Sequence, residues 1–187
     1  MEEKKFPGGR ELLDAHVLLI DQLGINYGAK VADLGCGTTG YFAFQAAEAV
    51  GDTGIVYAVD IQKMILKNIE NRAKMLGLSN VKTIWSNLED YGATAINDAA
   101  VDYAVLINVL FQNKKPETIL REAARVMRRG GRILIVEWKQ GRFPFGPPAE
   151  VKVTAEKVRE LALGAGLKEK KEVVAGRFHY GLIFEKI

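Results

Sequence analysis

The sequence contains a single cysteine, Cys36, so no internal disulfide can form. No apolar run approaches the roughly 20 residues that a helix needs to cross a bilayer. The segment Met1–Pro7 is charged, and no apolar stretch follows it in the manner of a secretory leader. We therefore expect a cytoplasmic protein that does not span a membrane.

An excess of charge of one sign is also lacking. Lys and Arg number 26 against 23 for Asp and Glu, and the net charge of +3 permits an anionic substrate without demanding nucleic acid. Two histidines and one cysteine do not offer a set of metal ligands, so we expect no metal site. The 187 residues fit a single domain over 1–187, with residues 1–9 expected to be flexible.

Predicted strands and helices alternate along most of the chain. An amphipathic helix is predicted over 10–23, and Gly24 should end it. Further helices are predicted at 41–50, 62–76, 115–129 and 154–165, between strands at 31–34, 55–59, 81–85, 101–107 and 133–136. Strands separated by helices favour a parallel sheet covered on both faces. Two late strands, at 167–174 and 179–185, lie too close together for a crossover and must form an antiparallel hairpin.

The first predicted strand ends in a glycine-rich loop, Asp33-Leu34-Gly35-Cys36-Gly37-Thr38-Thr39-Gly40. Its glycines let the backbone turn sharply and let a ligand approach the main chain. The spacing Gly-x-Gly-x-x-Gly alone would also fit a dinucleotide.

Three observations argue against a nicotinamide or flavin. Asp33 would repel a pyrophosphate but suits ammonium and sulfonium groups, the chain leaves no room for a substrate domain, and no tyrosine begins a Tyr-x-x-x-Lys pair.

Polar side chains follow the next three strands at the same edge of the predicted sheet. Asp60 ends the second strand, where a carboxylate can accept both hydroxyls of a ribose. Asn87 follows the third strand and could accept a hydrogen bond from the exocyclic amine of an adenine. Asn108 follows the fourth strand and should face the same cleft. Asp60 has a simpler interpretation as a helix N-cap, and Asn87 as a residue that shapes its loop.

With these residues in place, the sequence resembles the class I S-adenosylmethionine-dependent methyltransferases, in particular the small ubiquinone-biosynthesis-like type, over residues 28–187. The family's acidic residue followed by Gly-x-Gly falls on Asp33, Gly35 and Gly37. Its ribose-binding acid falls on Asp60, and the turn before its fifth strand falls on Gly130-Gly131. The resemblance implies a Rossmann-like, doubly wound α/β sheet of seven strands in the order 3-2-1-4-5-7-6, with one antiparallel strand in the C-terminal hairpin.

The resemblance also implies a set of residues that contact S-adenosyl-L-methionine. Asn87 stands where the family more often has aspartate, and the third glycine comes one position late, so either Thr39 or Gly40 could line the cofactor. The implied contacts are Asp33, Gly35, Cys36, Gly37, Thr38, Gly40, Asp60, Ile61, Asn87, Leu88 and Asn108.

Methyl transfer depends mainly on holding the nucleophile in line with the methyl group, so the sequence need not show a catalytic base. Two weak candidates exist: His179 in the final turn, and Glu137 at the end of the fifth strand. The absence of an Asn/Asp-Pro-Pro-Tyr/Phe tetrapeptide favours a small-molecule acceptor. Two alternatives remain open. One is an RNA or protein methyltransferase that uses a basic helix face, and the other is a cofactor-binding module without turnover. This face would be a four-residue helical stripe within the basic run Arg121, Arg125, Arg128, Arg129 and Arg132.

Overall fold

The computed structural model describes residues 13–187, which form one seven-stranded sheet with helices on both faces. The predicted flexible segment 1–9 lies outside the described residues. The chain contains a π-helix at Val17–Leu23 and short 3₁₀-helices at Leu110–Gln112 and Ala149–Val151. The α-helices are α1 Tyr41–Val50, α2 Lys63–Met75, α3 Pro116–Val126 and α4 Ala155–Gly164. The strands are β1 Lys30–Leu34, β2 Ile55–Asp60, β3 Val81–Trp85, β4 Val101–Ile107, β5 Met127–Trp138, β6 Leu167–Val174 and β7 His179–Lys186.

The sheet order is β3-β2-β1-β4-β5-β7-β6, which confirms the expected topology. Neighbours among β1 to β5 pair in parallel, whereas β7 runs antiparallel to both β5 and β6. Chain order reverses at β1, because β2 lies on one side of it and β4 on the other. Ligands bind beyond the carboxyl ends of the strands at such a reversal, so the fold places a cleft beside the glycine-rich loop.

The core forms two layers because successive residues of a strand point to opposite faces. Val31 of β1 packs in the layer with the π-helix, α1 and α2, and Ala32 packs in the layer with α3 and α4. Both layers bury aliphatic and aromatic side chains almost completely, for instance Phe44 on the first face and Leu120 on the second. This burial holds the sheet rigid, and the strand ends carry the polar residues.

The N-terminal helix was predicted over 10–23, and residues 10–12 lie outside the described part. The described part is helical and ends at Gly24, whose φ of 85° is the left-handed value that favours glycine. Asp14 Oδ1 accepts a hydrogen bond from the Val17 amide at 3.1 Å and so satisfies one free donor at the helix start. Within residues 13–187, no helix has both the length and the apolar character that crossing a membrane would require.

The structure corrects the predicted end of α3 and, with it, the basic helix face. The helix stops at Val126 instead of 129, and Met127 already pairs with Val101 as part of β5. Arg128 and Arg132 therefore lie on a strand, where they face Asp102 and Glu185. The prediction of a four-arginine stripe on this helix was wrong, because Arg128 and Arg129 belong to β5, where strand pairing outweighs the helical preference of arginine.

Of the two arginines that remain on α3, Arg125 is not free to bind a partner. Its guanidinium donates to both carboxylate oxygens of the fully buried Glu122 at 2.8 and 2.9 Å, and to Asp98 at 2.6 Å. Glu122 also accepts the amides of Gly92 and Thr94. This buried cluster ties α3 to the loop before β4, so its role is structural.

Candidate functional site

The glycine-rich loop between β1 and α1 is held against the end of β2. The amides of Gly35 and Cys36 both donate to the carbonyl of Val59, at 2.8 and 3.0 Å. Gly35 has a φ of 86°, and a Cβ added there would lie 2.6 Å from a methyl carbon of Val109. Both the backbone angle and the close contact therefore require glycine at position 35.

Gly37 differs, because a Cβ at this position would meet nothing within 4 Å. Its φ of 66° still favours glycine, and the open space beside it is the space a ligand would use. The Gly37 amide donates to Asp60 Oδ2 at 3.2 Å, while Asp60 Oδ1 accepts the Gln62 amide at 2.9 Å. Asp60 thus links the loop to the end of β2 and keeps lone pairs for a ligand, since a carboxylate can accept about four hydrogen bonds.

Asp33, at the end of β1, is a buried carboxylate with an unsatisfied oxygen. Its side chain is 2% exposed, and Oδ2 has no hydrogen-bond partner among the described residues. Burial raises the pKa of Asp33 to about 7, and the negative charge of Asp60 adds to this, while the Ala43 amide works in the opposite direction. A cationic group of a ligand would satisfy this carboxylate.

Two cavities meet at the loop, and Gly35, Gly37 and Thr38 line both of them. The larger cavity has a volume of about 930 Å³ and contains the other predicted residues Asp33, Cys36, Asn108 and His179. The smaller one, of about 380 Å³, contains the predicted residues Asp60, Ile61, Asn87 and Leu88. The structure thus brings ten of the eleven predicted cofactor contacts to one continuous edge of the sheet.

Gly40 is the eleventh residue, and it lines neither of these cavities. It is the N-cap of α1 with a φ of 58°, and a Cβ there would lie 3.1 Å from the ring of Phe44. Its conformation and its packing explain the glycine without a ligand. Thr39 lines the larger cavity instead, and which of the two residues contacts a cofactor stays a prediction.

Cys36 lies in the wall of the larger cavity as a small buried side chain. Burial raises the pKa of its thiol, and the nearby charges of Asp33 and Asp60 raise it further. The thiolate is the nucleophilic form of cysteine, so this residue is unsuited to covalent attack.

The two predicted asparagines have different surroundings. Asn87 shapes its own loop, since its Oδ1 accepts the Glu89 amide at 3.1 Å and its Nδ2 donates to Asp90 at 2.9 Å. Asn108 has a left-handed φ of 57°, which is unusual for a residue other than glycine. Its Nδ2 lies 3.2 Å from His179 Nε2, and its Oδ1 has no partner among the described residues.

His179 is 1% exposed and forms part of the wall of the larger cavity beside Trp138, with 4.1 Å between ring centroids. Burial lowers the pKa of His179 to about 4, and the charges of Lys139 and Lys152 lower it further. The imidazole is therefore neutral at physiological pH. Donation from the Asn108 amide to Nε2 would leave the ring proton on Nδ1, which has no hydrogen-bond partner among the described residues.

Glu137, the second catalytic candidate, does not line either of these cavities. Its side chain is fully buried, and Oε1 accepts the Leu110 amide at 2.6 Å. Trp138, the next residue, takes the cavity position instead because side chains alternate along a strand.

Sequence reasoning missed the part of the site that α1 contributes. Tyr41, Phe42, Phe44, Gln45 and Glu48 all line the larger cavity. These positions follow directly after the loop on the first turns of one helix, so their helical spacing was the available indication. The loop 139–148 brings Phe143 and Phe145 against Phe178, and neither of these two residues lines the larger cavity.

Comparison with known proteins gives a consistent result. The model of a family described as "Methyltransferase domain" matches residues 25–177. A demethylmenaquinone methyltransferase of Geobacillus sp. is 32% identical over 119 residues, which cover 64% of this chain and 49% of the relative. The aklanonic acid methyltransferase of Streptomyces sp. is 30% identical over 148 residues, 76% of this chain and 60% of the relative. The chain thus spans about half the length of the first of these curated relatives.

A crystal structure of an S-adenosylmethionine-dependent methyltransferase from Aquifex aeolicus superimposes with a TM-score of 0.88 and 26% identity, over 97% of this chain and 94% of that one. The match of the family model over most of the chain, the shared strand order and this superposition agree with the geometry of the loop. The chain belongs to the methyltransferase-domain family, of the class I S-adenosylmethionine-dependent, ubiquinone-biosynthesis-like type.

Proposed function

We propose that the protein transfers a methyl group from S-adenosylmethionine to a small-molecule acceptor. One observation carries this proposal. Two cavities meet at the glycine-rich loop, and each contains a carboxylate at the end of a strand, Asp33 in one and Asp60 in the other. The unsatisfied Asp33 carboxylate suits the cationic amino acid portion of the cofactor, and Asp60 suits its ribose hydroxyls.

The remaining lining residues fit the other parts of the same molecule. In the smaller cavity, Ile61 and Leu88 offer apolar contact to a purine, and Asn87 Oδ1 keeps a lone pair for its exocyclic amine. In the larger cavity, Gly37 leaves the main chain open to close approach. Asn108 Oδ1 is a further acceptor without a partner among the described residues. When bound, the cofactor supplies a methyl group on a sulfonium leaving group.

The chain's own contribution is orientation and exclusion of water. His179 and Trp138 form the wall of the larger cavity near Asn108. A pKa of about 4 makes His179 a weak base, because a general base works best when its pKa is near the operating pH. We infer that His179 shapes the cavity wall together with Asn108 and Trp138, and that an acceptor acidic enough to ionise alone needs no stronger base.

The acceptor class is inferred from the walls of the larger cavity and from the relatives. Phe42, Phe44, Ile107 and Trp138 give these walls an apolar and aromatic character suited to a small organic molecule. The relatives in Geobacillus and Streptomyces are named for methylation of demethylmenaquinone and aklanonic acid, both small organic molecules. The basic helix face that would have favoured RNA is absent from the described α3.

Calorimetry with S-adenosylhomocysteine tests the cofactor assignment. Asp60→Ala should weaken binding by about 1–3 kcal/mol, since it removes hydrogen bonds to the ribose and to the loop amide. Asp52→Ala is the matched control, because Asp52 is exposed in the turn after α1. Absence of binding by the wild-type protein, or equal affinity of the Asp60 variant, would contradict the proposal.

Transfer of a tritiated methyl group tests the acceptor class. The wild-type protein is incubated with radiolabelled S-adenosylmethionine and, separately, with a panel of phenols and hydroquinones or with total RNA. We expect label in the organic extract and none in RNA. Label in RNA alone would overturn the small-molecule assignment, and tight cofactor binding without transfer to either would favour a binding module.

A further inference from the structure

One segment takes part in both cavities, namely the turn that follows β4. We call residues 108–113 the β4 corner. Asn108 lines the larger cavity, whereas Val109, Gln112 and Asn113 line the smaller one. Any group that fixes the backbone of this corner therefore acts on both halves of the cleft at once.

Glu137 lies behind the β4 corner at the end of β5. Oε1 accepts the Leu110 amide at 2.6 Å, and the neighbouring amides of Val109 and Phe111 also favour the charged carboxylate. Leu110 begins a short 3₁₀-helix, so these are the free amides at a helix start. Among residues 13–187, Oε2 has no hydrogen-bond partner and no cationic side chain neutralises the group.

The opposite side of the corner touches the two features that define the site. Val109 packs so closely on Gly35 that no Cβ could stand between them. Asn108 donates from its amide toward His179 Nε2, and its left-handed backbone directs the side chain there. A shift of the corner would therefore move the wall of the glycine-rich loop and release His179 together.

A buried carboxylate without a neighbouring cation destabilises the folded state, so it is an unfavourable group for holding a loop in place. Burial raises the pKa of Glu137 to about 7, which reflects the cost of removing its charge from water. A well-packed apolar side chain would avoid that cost. The presence of Glu137 in spite of this unfavourable free energy indicates that its carboxylate serves function and not stability.

We propose that Glu137 is a positioning residue, which sets the cofactor cleft by fixing the β4 corner against Gly35 and beside His179. The proposal rests on the proposed function, because both cavities are taken as the cofactor's. Glu137 is not a catalytic residue in this view, since it touches neither cavity.

Three substitutions of Glu137 distinguish the effect of its side-chain length from the effect of its negative charge. Glu137→Leu removes the acceptor, Glu137→Gln keeps an oxygen at the same reach without the charge, and Glu137→Asp keeps the charge but shortens the reach by one methylene. Tyr180→Phe is the matched control. Tyr180 is the cross-strand partner of Glu137 on β7, and its buried hydroxyl donates to Val153, away from the corner.

The readouts are hydrogen exchange of the corner amides and calorimetric affinity for S-adenosylhomocysteine. Loss of the acceptor leaves the buried corner amide unpaired, so Glu137→Leu should raise exchange at residues 109–111 and weaken binding by about ten- to hundredfold. Glu137→Asp should behave like the Leu variant. Glu137→Gln should remain within about threefold of wild type, and Tyr180→Phe should change neither quantity.

Results that differ from these expectations would contradict the positioning role of Glu137. Unchanged exchange and affinity in Glu137→Leu would show that the carboxylate does not fix the corner. Faster exchange spread over the whole chain would show a role in global stability alone. If Glu137→Leu does not fold, the Asp and Gln variants decide, because full function in Glu137→Asp with loss in Glu137→Gln would assign the effect to charge. Failure of the wild-type protein to bind S-adenosylhomocysteine would refute the proposed function, while exchange at the corner would still decide the role of Glu137.

Discussion

The replacement Asp33→Asn should stabilise the protein and weaken its binding of cofactor. Asp33 is buried with an unsatisfied oxygen, and its pKa lies at about 7 instead of the ordinary 3.8. Asparagine has almost the same shape as aspartate and carries no charge. The substitution therefore removes the cost of a buried charge without opening a cavity.

The magnitude follows from the two pKa values. A difference from 3.8 to about 7 corresponds to about 4 kcal/mol against the ionised folded protein. For a carboxyl group whose pKa is raised by folding, stability is fully present below the unfolded value and is lost as pH rises through the folded value. Between pH 5 and pH 8, the wild-type protein should therefore lose about 2–3 kcal/mol through Asp33 alone.

The first assay is thermal unfolding of the protein without ligand at pH 5 and pH 8. In a chain of this length, 2–3 kcal/mol corresponds to a change in Tm of roughly 5–10 °C. Asp33→Asn should remove that part of the decline with pH, and the part due to Glu137, whose pKa is also raised to about 7, should remain. Asp52→Asn, an exposed control, should unfold like the wild type at both pH values.

The second assay is calorimetry with S-adenosylhomocysteine at the same two pH values. Its ammonium group should pair with ionised Asp33, so wild-type affinity should increase as pH rises through about 7. Asp33→Asn should bind about ten- to hundredfold more weakly at pH 8. A variant that is less stable than wild type at pH 8, or that binds equally well there, would refute the reasoning.

Three further predictions concern single features of the site and the fold. His179 has a pKa lowered from 6.5 to about 4, so its contribution to stability is present above pH 6.5 and lost as pH falls toward 4. Urea unfolding of His179→Gln should accordingly show a smaller acid loss than wild type. Gly35→Ala should lower Tm because its Cβ would clash with a valine methyl carbon, whereas Gly37→Ala should lower S-adenosylhomocysteine affinity more than Tm. Arg125→Met should cost about 3–5 kcal/mol in urea unfolding because it leaves Glu122 buried and unpaired, and equal stability would contradict that pairing.

Strand spacing and hydrophobic pattern were sufficient to predict the strands, their parallel arrangement and the terminal hairpin, while the strand order was what the family resemblance implied. The sequence was insufficient at the end of α3. The prediction extended this helix through Arg128 and Arg129 to the glycines at 130 and 131, whereas the helix ends at Val126. The decisive interactions are long-range: Met127 pairs with Val101 on β4, and Arg128 donates to Asp102 at 2.7 Å. Local propensity cannot report such partners.

In the site too, the residues that could be predicted are those whose position follows from their own strand, and the others depend on contacts with distant parts of the chain. Asp33 and Asp60 were predictable because each follows a recognisable strand and because parallel strands end at one edge. Glu137 was placed at the right edge, but its direction depends on the pleat of β5 and on the position of the β4 corner. Gly40 was assigned to the cofactor by spacing, whereas its conformation serves the start of α1. Whether each of these contacts binds the cofactor stays a prediction.

Three of the buried carboxylates among residues 13–187, namely Glu122, Asp33 and Glu137, differ in what their charge does to stability. Glu122 is neutralised by Arg125 and accepts two backbone amides, and these interactions lower its pKa to about 2, so its charge supports the folded state. Asp33 and Glu137 are buried without a cation among residues 13–187, and their raised pKa values mean that their charges oppose folding. Both stand at the carboxyl ends of strands, one inside the cleft and one behind its wall. A ligand that carries a positive charge and needs a fixed β4 corner would account for both. Replacing Asp33 should therefore favour stability at neutral pH and weaken binding, whereas replacing Glu137 should loosen the corner and weaken binding.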